Sequence, residues 1–145
     1  MVNDLYQEII LDHSKRPRNF HILPDATQKA EGYNPLCGDK IRLYLKVKDG
    51  IVEDASFEGA GCAISTASAS LMTESLKGKT EEQARKLLDN FHDLLTTDSP
   101  VTKELGKLAV FCGVRDYPAR VKCATLCWHT LKSALEGDGE RASTE

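Results

Sequence analysis

The clearest pattern along the chain is a strict alternation. Ile41, Leu43, Leu45 and Val47 alternate with Arg42, Tyr44, Lys46 and Lys48, then Asp49-Gly50 precedes a second run, Ile51 to Glu58. Period-two alternation around an Asp-Gly pair predicts an antiparallel hairpin with one face buried. A shorter strand is expected over about Gln28 to Tyr33. Elsewhere the period is helical. An opening helix from about Asn3 to Ser14 carries Leu5 and Ile9 on one face and stops at Arg16-Pro17. Ala63 to Lys77 follows the hairpin, with Ala63, Ala67 and Leu71 in register. Thr80-Glu-Glu-Gln83 has the form of a capping box and starts a helix carrying Leu87, Leu88, Phe91 and Leu95. Ser99-Pro100 offers the cap and first turn of a further helix with Leu105, Leu108 and Phe111 on its face. A last helix starts near Pro118 and places Val121, Ala124, Trp128, Leu131 and Leu135 in one apolar stripe. Strands first and helices afterwards predict an α+β fold: a small antiparallel three-stranded sheet packed by about five helices. The expected layout is one domain over residues 1–136, with a polar, frayed tail over 137–145.

Composition narrows the functional classes. The 145 residues are 41% hydrophobic and 28% charged, which is ordinary globular usage. The formal charge of −3 lacks the basic footprint of a nucleic-acid binder. No apolar run approaches the roughly 18 residues of a membrane span, and Met1 to Glu8 has no secretory character, so the expected compartment is the cytoplasm, with no membrane partner. In that reducing setting the five cysteines read as metal ligands or redox thiols rather than disulfides.

Three of them stand at the mouths of elements. Cys37-Gly38-Asp39 sits in a Gly/Pro-bounded loop before the first hairpin strand. There the thiol and carboxylate can turn toward one cation, or serve as a small core residue and a turn former. Cys62 follows Gly59-Ala60-Gly61 at a strand-to-helix junction, where free N–H groups and the helix dipole favour a thiolate. Cys123 lies in the first turns of the last helix beside Arg120 and Lys122. If they converge, three thiolates and Asp39 form a site for zinc or hold an iron-sulfur cluster. Spacing alone leaves that convergence open. Four anionic ligands would exceed a divalent charge by two, a surplus that Arg120 and Lys122 can offset. The hard ligand Asp39 in a soft set favours ligand exchange, which would free a nucleophilic thiolate. Cys112, beside Phe111, reads as core filler. Cys127, one turn after Cys123, is either a resolving thiol, an alternative ligand or packing, with packing preferred.

Taken together, Leu36-Cys37-Gly38-Asp39, Phe57-Glu-Gly-Ala-Gly-Cys62-Ala-Ile-Ser-Thr-Ala-Ser-Ala-Ser70 with Met72-Thr-Glu74, and Arg120-Val-Lys-Cys123-Ala-Thr-Leu resemble the IscU/NifU-type iron-sulfur scaffold family, specifically its SufU branch. The resemblance runs from Leu5-Tyr6 and Asp12-His13 to Leu135. It implies Cys37, Asp39, Cys62 and Cys123 as ligands of one metal site. General scaffold members carry His before the third cysteine; Lys122 stands there in this chain, and a protonated lysine cannot ligate. That change and the connection Gly113-Val-Arg-Asp-Tyr-Pro118 are similar to SufU. The resemblance therefore implies zinc and sulfur acceptance from a PLP-dependent, SufS-type cysteine desulfurase. Cys37 would become the persulfide, released as a desulfurase histidine replaces it on the metal, and Arg120 would contact that exchange. Downstream partners would be an iron-sulfur scaffold or apo-proteins. The wider family implies the alternative of a scaffold holding a [2Fe-2S] cluster or iron, and a third reading is a non-catalytic zinc domain. The chain departs from the SufU pattern at Cys127, where a small apolar residue is usual, and at Cys112.

Other groups carry less. His13, Lys15, Arg16, Arg18 and His21 read as a solvated cationic face. His92 and His129 read as ordinary helix residues. Leu5 and Tyr6 belong to a docking patch by resemblance. The serines and threonines from Ser65 to Thr73 read as close helix packing.

Overall fold

A computed structural model describes residues 4–35, 38–96, 103–136 and 142–143. Helix α1 (Asp4–Lys15) leads into β1 (Gln28–Asn34), β2 (Asp39–Lys48) and β3 (Ile51–Ala60), which form an antiparallel sheet in the order β3-β2-β1. Asp49 and Gly50 both have positive φ, 54° and 75°, the combination a type I′ hairpin turn requires. The alternation works as predicted on the core side, where Ile41, Leu43 and Leu45 are buried. On the other side Tyr44 is buried as well. Lys29, its cross-strand partner, lies over the ring, and its hydroxyl donates to Glu58 at 2.5 Å.

Helix α2 (Ala63–Leu76) packs on β3, and α4 (Pro118–Glu136) lies across β1 and β2 and against α2. Helix α3 (Glu81–Thr96) closes the core beside α4, where Phe91 stacks on Trp128 at 4.6 Å and meets Phe111 edge-on at 5.7 Å. The capping box is reciprocal: Gln83 N–H donates to Thr80 Oγ1 at 3.1 Å, and Gln83 Oε1 accepts from Thr80 N–H at 3.0 Å.

Two expectations change. The helix expected from Ser99-Pro100, a pair outside the described residues, is seen from Lys103 to Asp116 as a 3-10 segment broken at Gly106 (φ 52°, ψ −126°). Past that break, Leu108, Phe111 and Val114 recur every three residues, which places them on one face of a 3-10 helix, and all three are buried. The apolar stripe of α4 is really a helix buried nearly all round, since Cys123, Leu126, Cys127 and Thr130 are buried too. It lies between the sheet and the other helices. Within the tail, Ala142–Ser143 (β4) pairs in parallel with Gly32 and Tyr33 of β1.

Gly32 is what lets α4 lie so close to β1. A Cβ there would stand 2.1 Å from Thr130 Oγ1 and 3.1 Å from Leu126 Cδ1. Two residues further along β1, roughly 6.6 Å, the strand ends at Asn34 beside Cys123, which lies about two turns before Thr130 on α4. The packing of a glycine thus sets the height at which Cys123 meets the sheet.

Candidate metal centre

The residues that begin β2, begin α2 and occupy the second turn of α4 meet at one end of the sheet. One ligand atom each from Asp39, Cys62 and Cys123 lie within 4.8 Å of one another. Asp39 and Cys123 are fully buried and Cys62 is half-buried. Cys62 is the N-cap of α2, and its sulfur accepts the Ser65 N–H at 3.4 Å, as the junction predicts. Its own N–H donates to Asp39 Oδ1 at 2.9 Å, and its Sγ lies 3.9 Å from Asp39 Oδ2. Gly61 makes this contact sterically available, because a Cβ there would be 2.7 Å from Asp39 Oδ1.

Two thiols and a carboxylate buried together suit a thiophilic divalent cation. As anions without one they would repel in a poorly screened site. Tetrahedral zinc donors stand roughly 3.3–3.8 Å apart, given bonds of about 2.0–2.3 Å. A spread within 4.8 Å therefore needs only small side-chain rotations. Cys37, the fourth predicted ligand, lies outside the described residues, in the short connection that joins Asn34 to Asp39.

Arg120 is exposed at the start of α4, and Lys122 is half-buried beside Cys123. Arg120 edges an apolar groove of about 420 Å³ formed with Ile10, Leu11, Ile64, Val114 and Tyr117. The groove runs along the start of α2, next to Cys62. Leu11 and Tyr117 are 49% and 61% exposed there, high for large apolar side chains.

Cys127 stands apart from the cluster. Its Sγ lies 3.4 Å from Ser68 Oγ, burial pushes the thiol up to about 12, and it belongs to the packed core. Ser68 also donates to the Ala124 carbonyl at 2.6 Å and accepts from Trp128 Nε1 at 3.2 Å. Cys112 is half-buried at the edge of the core. The cationic face read from His13 to His21 is corrected at its first member. His13 is buried with Nδ1 2.7 Å from Ser70 Oγ, while Arg18 pairs with Asp12 at 2.6 Å. The expected close packing of Ser65 to Thr73 holds at Ser65, Ser68, Ser70 and Thr73, all of them buried. His92 and His129 face each other across α3 and α4 with ring centroids 6.3 Å apart. The side chains of Leu5 and Tyr6 lie outside the described residues. Sequence reasoning missed Asn34. It is fully buried, and its amide Nδ2 is 3.8 Å from Cys123 Sγ. No helix among the described residues is long and apolar enough to cross a membrane.

Residues 5–124 match the family described as the NifU-like N terminal domain. The chain is 44% identical to the zinc-dependent sulfurtransferase SufU of Bacillus subtilis, over 92% of this chain and 91% of the relative. It is 42% identical to the iron-sulfur cluster assembly scaffold protein IscU of Streptococcus pyogenes, over 93% and 85%. Among solved structures, the putative SUF-system scaffold of Fervidobacterium islandicum superposes with a TM-score of 0.85 at 38% identity, covering 88% of this chain and 94% of the other. The NifU-like N-terminal protein of Brucella abortus does so with a TM-score of 0.83 at 27% identity, over 92% and 94%. With the Asp39, Cys62 and Cys123 cluster at the end of a sheet of this topology, the chain belongs to the NifU-like N-terminal domain family, on its IscU/SufU side.

Proposed function

We propose that this protein is a zinc-dependent sulfur acceptor in iron-sulfur cluster assembly, taking persulfide sulfur from a SufS-type, PLP-dependent cysteine desulfurase. The observation that carries the reading is the buried Asp39-Cys62-Cys123 cluster, in a chain 44% identical to a zinc-dependent sulfurtransferase. Zinc, when bound, supplies the positive charge that keeps the thiols deprotonated. Asp39, Cys62 and Cys123 would hold it, with Cys37 as the fourth ligand.

Cys37 is the proposed acceptor because it lies on the short connection between β1 and β2, whereas Cys123 is fixed in α4 and fully buried. Its thiolate attacks the outer sulfur of the desulfurase persulfide. A new S–S bond forms to Cys37, the bond to the desulfurase cysteine breaks, and that cysteine leaves as a thiolate, so no external oxidant is needed. The groove beside Cys62 supports docking: its apolar floor fits an apolar segment of the desulfurase, and exposed Arg120 at its edge fits a carboxylate next to that segment. The sulfur then passes to a downstream scaffold or apo-protein.

A second reading, a scaffold that builds a [2Fe-2S] cluster, is favoured by the relatives named IscU at 42% and 44% identity. One experiment separates the readings. Metal content of the isolated protein is measured, then persulfide is mapped on Cys37, Cys123 and Cys127 after incubation with desulfurase and cysteine. Zinc with persulfide on Cys37 supports the proposal. Iron with sulfide, and no gain in desulfurase rate, overturns it. Cys37→Ala should abolish acceptance while the fold remains; an unfolded variant would favour a purely structural zinc domain.

A further inference from the structure

The three clustered side chains are held in different ways. Asp39 accepts a main-chain N–H from Cys62, and the Cys62 sulfur accepts one from Ser65. Cys123 is the sixth residue of α4, where the main-chain N–H groups are committed to the helix. Its sulfur therefore takes no N–H from its own turn, and Asn34 supplies one from the sheet: its amide Nδ2 lies 3.8 Å from Cys123 Sγ, and both residues are fully buried. Asn34 is the last residue of β1 and pairs in register with Asp39, so the hairpin carries a ligand candidate and this donor on facing residues.

We infer that Asn34 is a positioning residue that fixes Cys123 as the retained sulfur of the site. The inference rests on the metal-site part of the reading above and requires no sulfur transfer. An amide N–H directed at a thiolate delocalises its charge, holds the sulfur in place for the metal and lowers its power as a nucleophile. Cys62 receives a similar N–H from Ser65, but among the described cysteines Cys123 alone combines full burial, a rigid helix and a side-chain donor from the sheet. Any residue at position 34 without an N–H donor would loosen the link between β1 and α4 at the metal.

The test uses the full chain loaded with cobalt(II), as wild type, Asn34→Ala and Asn34→Asp. Removing an N–H donor from a ligating thiolate raises the energy of its filled sulfur orbitals. The thiolate-to-cobalt absorption band should therefore move to longer wavelength in both variants. Metal affinity, measured by competition with a chelator, should fall about 10- to 100-fold, the usual cost of losing such a partner. Asn34→Asp keeps the side-chain shape and decides the matter should Asn34→Ala not fold. In a Cys123→Ser background, Asn34→Ala should cost little further affinity. An unmoved band, or full additivity with Cys123→Ser, would overturn the inference. These readouts use no desulfurase, so the failure of sulfur acceptance and the failure of the clamp are separately visible.

Discussion

Asp39 and Cys62 are 23 residues apart in the chain, yet the Cys62 main-chain N–H donates to Asp39 Oδ1 at 2.9 Å. The start of one hairpin strand and the second residue after the other are tied together through the group that also lies beside the Cys62 sulfur. The contact depends on the missing side chain at Gly61, since a Cβ would stand 2.7 Å from the same oxygen.

Gly61→Ala should therefore displace the Asp39 carboxylate. The expected outcome is a fall of about 10- to 100-fold in zinc affinity, read by chelator competition, with the circular dichroism spectrum preserved.

Gly32→Ala acts further away. Its Cβ would stand 2.1 Å from Thr130 Oγ1, so α4 must move off β1. Overpacking of this kind costs about 1–3 kcal/mol, measured by urea unfolding. The same shift would carry Cys123 away from Asn34 and weaken metal binding as well.

Cys127 should be dispensable for the chemistry. Buried, and with its thiol pushed up to about 12, it should resist alkylation in the folded protein. Cys127→Ala should lower stability by about 1 kcal/mol while leaving zinc affinity and persulfide on Cys37 unchanged; mass spectrometry after thiol labelling checks both cysteines.

The groove predicts a loss confined to the partner. Leu11→Lys and Tyr117→Ser alter exposed side chains, so unfolding midpoints should hardly move. The desulfurase concentration needed for half-maximal sulfur acceptance should rise about tenfold, with zinc content unchanged.

Stability should fall on acidification. Burial, then the Arg18 charge, hold His13 below its ordinary value of 6.5, and burial followed by the His92 and Lys132 charges do the same for His129. The folded state therefore binds fewer protons than the unfolded one. Stability is fully present above about 6.5 and is lost as pH falls below it toward the folded values. Urea melts of the metal-free protein between pH 8 and pH 5 should show this slope. His13→Gln with His129→Gln should flatten it.

The sequence by itself determined the hairpin and the helix starts, and it placed Asp39, Cys62 and Cys123 at or near the mouths of elements, because these follow from short-range chemistry. Alternation around Asp49-Gly50, the Thr80/Gln83 cap and Cys62 at a strand-to-helix junction are all written within a few residues. The spacing of three between Leu108 and Phe111 suits an α-helical face as well as a 3-10 one, so it left that choice open. Tertiary structure decided the rest. His13 looked solvated from its cationic neighbours, but α1 packs on α2 and buries it against Ser70. Cys127, one turn from Cys123, left three roles open with packing preferred; Cys123 faces Asn34 and the site, while Cys127 faces Ser68 in the core. That division depends on how close and at what angle α4 crosses β1. Gly32 and Thr130 set that closeness across nearly the whole chain, and no local pattern encodes such a contact.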